Sequence, residues 1–265
     1  MLKLGVIGNI SRDTTEYAGS PHRHLLGGAA LYIALAAARA GVAAAPIAVI
    51  GADLAEALRL PTLKAMSLDS VAIVDRPSCR FHLRYDQRHI LASLDADYGA
   101  AELLTQHALD QAPHYGFVHV CCRLPLDPVP VLTALIDRHQ PFSVDFIAAS
   151  APGMIAATAA FLPYAEFIFT NVSEYELLKR AVDATNLRVV TVTDGPRPVV
   201  LYRYGVPVVR TPIVQTKAIE VTGAGDTLTG TFLASMLRGE GRSLALRYAA
   251  QAATARVATI GISLR

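Results

Sequence analysis

Short apolar runs alternate with stretches of helical spacing along the whole chain, and that rhythm restricts it to the α/β folds. Residues 2–8 form a strand-like run. A small-residue helix opens at Gly27-Gly28, continues to about residue 40 and stops at Gly41, and a second apolar run covers 46–50. The alternation returns with strand runs at 116–120, 142–146, 167–170 and 188–193, and with helices at 129–138, 155–161 and 173–180. Strands joined through helices pair in parallel, so a mostly parallel central sheet flanked by helices is expected. Residues 199–202 and 206–210 read as a hairpin turning at Gly205, and helices over 224–237 and 243–259 close the chain. Without repeats or long linkers, residues 1–265 read as one domain.

One segment breaks the rhythm. From Cys79, residues Phe81, Leu83 and Tyr85 fall on one face of a strand, and Arg80, His82 and Arg84 on the other. After Asp86-Gln87-Arg88 the alternation resumes with Ile90, Ala92 and Leu94. Residues 79–94 are therefore expected to form an antiparallel β-hairpin that projects from the sheet as a small lid. An apolar inner face would exclude water without stranding a charge. Apolar residues of a second copy could complete the cover, which makes a homodimer through the lid an expectation.

Composition excludes several partners. Twenty-four Lys and Arg balance 22 Asp and Glu, too even for a nucleic-acid surface, so small molecules are the expected ligands. Three cysteines, two of them adjacent (Cys121 and Cys122), fit a reduced, cytoplasmic protein. The apolar residues 27–48 are interrupted by Arg39, Gly41 and Pro46, which argues against a membrane span. The eight histidines, His22 and His24 among them, have no zinc-site spacing. There is no Walker loop and no Gly-x-Ser-x-Gly elbow, and the turn Gly8-Asn9-Ile10-Ser11 lacks the dinucleotide fingerprint.

The densest chemistry lies in Glu220-Val221-Thr222-Gly223-Ala224-Gly225-Asp226-Thr227, at the start of a helix. Two glycines flanking one small residue expose backbone N–H groups at a positive helix end, a cradle for phosphate. Asp226 beside it can accept a proton from an attacking hydroxyl. A Gly-rich turn whose Asp only caps the helix accounts for the local pattern equally well.

This segment resembles the second signature of the PfkB, or ribokinase-like, carbohydrate kinases, and three others agree with that family in content and order. They are Gly8 to Asp13, Gly27 to Tyr32, and Asn171-Val172-Ser173-Glu174-Tyr175-Glu176. The resemblance implies a three-layer α/β sandwich and transfer of the ATP γ-phosphoryl group to a hydroxyl of a sugar, a polyol such as inositol, or a nucleoside. Asp226 would be the base, with Gly223, Ala224 and Gly225 as the anion hole. Asn171, Thr193, Gly195, Gly223 and Gly225 would border the nucleotide. Asp13, Gly27, Gly28 and Tyr32 would meet the substrate, and Glu174 would hold Mg²⁺ through water. Glu220 stands where the family usually has Asp, near a monovalent-cation site, so potassium activation is not implied. The stretch Asp145-Phe146-Ile147-Ala148 departs from the family's Asp-x-Asn-x-x-Arg, and the acceptor stays open. A non-catalytic nucleotide- or sugar-binding relative is the alternative; it would lack Asp226 or Glu174, and both are present.

Overall fold

A computed structural model describes residues 2–17, 20–87 and 91–264. Its main sheet is built around β1 (Leu4–Ile7), with β4 (Ala44–Gly51) and β5 (Val71–Val74) on one side. On the other side lie β8 (Phe117–Cys121), β9 (Phe142–Asp145), β10 (Phe167–Asn171) and β11 (Val190–Asp194). These seven strands are parallel. The hairpin β12 (Arg197–Arg203) and β13 (Val206–Thr211) adds two antiparallel strands at the β11 edge.

Helices cover both faces, as parallel strands with apolar sides require. The helices α1 (Ala29–Arg39), α6 (Ala224–Leu237) and α7 (Arg242–Val257) share one hydrophobic cluster with the sheet. In that cluster Phe232 meets Phe167 and Phe169 edge-on, with centroids 5.5 and 5.6 Å apart. The helices α2 (Leu104–Gln111), α3 (Pro128–Asp137), α4 (Ala151–Thr158) and α5 (Val172–Ala181) share a second cluster on the opposite face. Helix α4 starts four residues earlier than the apolar pattern suggested. Pro152 sits in its first turn, where the missing N–H costs nothing. Among the described residues no helix is long and apolar enough to cross a membrane.

The lid is larger than the hairpin expected at 79–94. Strands β6 (Cys79–Tyr85) and β7 (Leu91–Asp97) do pair antiparallel, while Arg88 and Ile90 lie outside the described residues. They belong, however, to a five-stranded sheet in the order β14-β3-β2-β6-β7, with β2 (Ser11–Tyr17), β3 (Arg23–Gly27) and β14 (Ile262–Ser263). Strand β2 escaped notice because its inward residues, Ser11, Asp13, Thr15 and Tyr17, are mostly polar yet buried. Hydrophobic alternation, the usual signal for a half-buried strand, is missing there. Asp13 accordingly sits within a lid strand and not in a loop.

Candidate active site

The chain leaves β1 toward β4 on one side and returns to β8 on the other, so a crevice opens at the carboxyl ends of β1 and β8. Asn9 follows β1, Arg123 follows β8, and Asp145 ends β9. Asn9 donates its amide to Leu124 O at 3.2 Å, and Cys122 N bonds Asp145 O at 2.9 Å, which fixes the loop that carries Arg123. The Arg123 guanidinium binds the Asp145 carboxylate, and the same Nη2 lies 3.8 Å from Asp226 Oδ1. Burial opposes the charge on Arg123, but Asp145, Cys121, Asp226 and Glu174 outweigh it and keep the guanidinium protonated. Burial would likewise raise Asp145, yet Arg123 and His119 hold it below the ordinary carboxylate range.

Asp226 stands in the first turn of α6, next to the helix start. Gly223 caps that helix in the left-handed conformation at φ 79°, and a Cβ there would press on the Tyr32 ring at 3.1 Å. The resulting turn sends the Ala224 N–H back to Val221 O at 3.2 Å, so the expected three-residue anion hole loses that donor. The next amides, of Gly225 and Asp226, are the helix-start donors left to an anion, and Gly225 faces open space. Burial raises the pKa of Asp226, and Arg123 offsets part of that rise.

Asp13 comes to the same site from the lid. Burial pushes its pKa up to about 7 against the Ser11 hydroxyl, which donates to it at 2.6 Å; Asp226 and Glu220 add repulsion. Gly27 passes so close that a Cβ would overlap the Asp13 carboxylate. Gly28, at φ 102°, presses instead on the backbone of Asn9 and Ile10. Tyr32, expected at the substrate, is held by the backbone of the lid strands. Its hydroxyl donates to Leu26 O at 3.3 Å and accepts from Ile262 N at 3.4 Å, and its ring supports Gly223 from behind.

Glu220 is fully buried and ties the lid to the loop before α6. Its Oε1 accepts from the Tyr17 hydroxyl and from Thr222 N at 3.2 Å. Its Oε2 accepts from Thr15 and from Arg23, each at 3.2 Å. Tyr85 adds a hydrogen bond to Thr222 Oγ1 at 2.8 Å and stacks on Tyr17, with centroids 4.6 Å apart. The apolar side of β6 thus faces the site; His82 and Arg84 face away beside Glu16 and Asp95, and Arg80 shares their face by strand alternation. The Arg80→Gln/Arg84→Gln double variant should keep the acceptor KM within about threefold of the parent. A hundredfold rise in steady-state KM would place those arginines on the substrate.

Beyond α6 lies a cavity of about 910 Å³, bordered by Thr193, Gly195, Gln215, Val221, Gly225 and Val257. Thr193, Gly195 and Gly225, expected at the nucleotide, meet here; Asn171 does not line the cavity, although it pairs in register with Thr193. Asn171 instead caps α5 in a reciprocal box: Glu174 N bonds Asn171 Oδ1 at 2.9 Å, and Asn171 N bonds Glu174 Oε2 at 2.8 Å. Burial pushes the Glu174 pKa up to about 7 despite the Asn171 N–H, and Asp145 and Arg123 act on it from across the site. A carboxylate with one oxygen committed to a cap fits Mg²⁺ as a holder of its water shell. Glutamine at 174 preserves the cap and removes the charge. Glu174→Gln should therefore raise the magnesium concentration for half-maximal rate severalfold, and an unchanged magnesium curve would leave Glu174 only a cap.

Reasoning from sequence missed Arg123. Its one signal is position, as the first charged residue after an apolar strand in an α/β chain. The structure also gathers His119, Cys121 and Asp145 within 4.8 Å, although no spacing announced a cluster. Its carboxylate is already paired with Arg123.

The chain is similar to known kinases in sequence and in fold. The chain is 25% identical over 269 residues to the fructosamine kinase FrlD of Bacillus subtilis (strain 168), covering 95% of this chain and 89% of that one. Its fold matches Burkholderia thailandensis nucleoside kinase in complex with inosine at a TM-score of 0.85 and 21% identity, over 97% of this chain and 92% of that one. A putative ribokinase II from E. coli in complex with ATP and Mg²⁺ matches at 0.80 and 18% identity, over 98% and 94%. The model of the pfkB family of carbohydrate kinases matches residues 5–264, and the chain belongs to that family.

Proposed function

We propose that this kinase transfers the γ-phosphoryl group of ATP to a hydroxyl of a sugar, polyol or nucleoside, with Asp226 as base. The observation that carries the reading is the meeting of three features in one crevice: Asp226, the helix-start amides, and Asp13 from the lid. The acceptor hydroxyl lies between Asp13 and Asp226. Asp226 takes its proton as the new O–P bond forms, the bond from phosphorus to the β,γ-bridging oxygen breaks, and ADP leaves with that electron pair. The amides at the start of α6 hold the phosphoryl oxygens. Mg²⁺, when bound through the waters that Glu174 holds, supplies charge neutralisation on the phosphates.

The inward lid face supports an uncharged acceptor: among the described residues β2 and β6 bring Asp13, Cys79 and tyrosines to it, and the Arg23 cation beside them is committed to Glu220. The fructosamine kinase and nucleoside kinase relatives extend the acceptor panel to glycated amines and purine nucleosides. The test is titration with ATP with and without magnesium, then ADP formation across that panel with sugars and polyols added. ATP binding without ADP formation on any hydroxyl would favour the non-catalytic alternative.

Potassium should be dispensable. All four acceptor positions of Glu220 are filled by protein donors, one of them the Arg23 cation. Turnover should change by less than about twofold when tetramethylammonium replaces potassium. A tenfold loss would mean that the ion binds beside a rearranged Glu220.

A further inference from the structure

Asp13, Asp145, Glu174 and Asp226 converge on the crevice into which a polyanionic nucleotide must place its reacting end. Among the described residues Arg123 is the cation that touches two of them. Its side chain retains 15% of its surface, and Asp226 retains 18%, so both reach the crevice. Among the described residues Nη2 of the guanidinium alone has acceptors, and Nε has none. A five-donor group with spare capacity is held where charge will arrive.

The distances decide what that charge is. An acceptor hydroxyl bound to Asp226 lies about 2.7 Å from its carboxylate, and the phosphorus it attacks lies about 3–3.5 Å beyond. Arg123 Nη2 is 3.8 Å from the same carboxylate. With the hydroxyl entering from the crevice to which both side chains open, the transferring group and the guanidinium are neighbours. Resting on the kinase reading above, we propose that Arg123 is a catalytic residue that binds the transferring γ-phosphoryl group, and that Asp145 aims it.

Arg123 changes no bond. Its forked N–H groups meet equatorial phosphoryl oxygens, whose charge rises as the bridging bond breaks. Asp145 is the positioning residue: its Oδ2 holds the guanidinium, and it sits at the end of β9 in register with Cys121. His119 lies behind it, with Nε2 3.8 Å from Asp145 Oδ1 and Nδ1 2.8 Å from Ser143 Oγ. An anion on the acceptor itself would also suit a guanidinium, but it would have to displace the nucleotide's own phosphate from beside Asp226.

The experiment compares the full-length parent with Arg123→Met and Arg123→Lys, reading kcat, both KM values, and affinity for ADP with and without aluminium fluoride. Arg123→Met should lower kcat about 10²–10³-fold, keep both KM values within about threefold, and lose most of the extra affinity that aluminium fluoride confers on ADP. If burial of an unpaired Asp145 prevents that variant from folding, Arg123→Lys keeps a charge beside Asp145. It should still lose about tenfold or more in kcat, because an ammonium cannot span two oxygens. Methylguanidine added to Arg123→Ala should restore part of the rate. A kcat within threefold of the parent in Arg123→Lys and Arg123→Met overturns the proposal, as does a loss confined to the acceptor KM, which would reassign Arg123 to an anionic acceptor. Those results leave the kinase reading standing, whereas a parent that phosphorylates no hydroxyl overturns both.

Discussion

Replacing Asp226 by asparagine should lower turnover roughly 10²–10⁴-fold and leave ATP affinity within about threefold. Asparagine nearly preserves the shape of the side chain, so the helix start and the cavity beyond it are unchanged. What disappears is the proton acceptor, together with the negative partner 3.8 Å from Arg123. Asp226 is a buried carboxyl with a raised pKa, a setting in which a carboxylate is a stronger base than in water. A direct base should be lost in kcat, whereas a cap would be lost in stability. Single-turnover kinetics with saturating ATP separates the two, and turnover within threefold of the parent would remove Asp226 from the chemistry.

Alanine at two adjacent glycines should fail in two different ways. At Gly28 the φ of 102° disfavours any side chain, and the new methyl would meet the Asn9 carbonyl, which is backbone and cannot swing aside. Gly28→Ala should cost on the order of 3 kcal/mol or more of stability, read as a large fall in the midpoint of denaturant unfolding. At Gly27 the methyl meets the end of a side chain, the Asp13 carboxylate. Gly27→Ala should fold, displace Asp13, and cut kcat/KM for the acceptor by about tenfold or more while ATP affinity holds. If both variants melt alike and bind acceptor like the parent, Gly27 and Gly28 are only a tight entry to α1.

How far these residues could be read in advance depended on what kind of signal each one left. Helix α6 was expected at 224–237 and is found at Ala224–Leu237, because glycine punctuation and a long apolar run agree there. The parallel core was legible for the same reason, since each buried strand is an apolar run between helices. Strand β2 left no such trace. Its buried face is Ser11, Asp13, Thr15 and Tyr17, polar groups that can be buried because Asp13, Glu220 and the hydroxyls satisfy one another. That pairing runs across 205 residues of sequence in the case of Thr15 and Glu220, a distance over which local pattern carries no information.

The site was legible in its motifs and not in its electrostatics. Asp226 and the glycines before it stood out through a spacing that resembles the family's signature. Glu220 also stood out, as a replacement, but its role as the anchor of the lid required its four donors to be seen. The Ala224 amide looked free in sequence and is spent on Val221, a consequence of the left-handed turn at Gly223. Arg123 has no motif. Its importance comes from two carboxylates that topology delivers to it, Asp145 from the neighbouring strand and Asp226 from a helix more than a hundred residues later. Glu174 was expected to hold magnesium water, and its geometry is compatible with that task and with the cap it makes on α5.

The central claim is phosphoryl transfer from ATP to an alcohol, and isotope transfer measures it without presuming the acceptor. The protein is incubated with ATP carrying a radiolabelled γ-phosphate, magnesium, and pooled sugars, polyols, nucleosides and glycated amines, with Asp226→Asn as the reference. The account predicts label in an organic phosphate monoester, one equivalent of ADP for each labelled product, and at least about 10²-fold less of both with Asp226→Asn. ATP bound with full affinity, but with label found only in ATP and inorganic phosphate at the level of the Asp226→Asn reference, would contradict it.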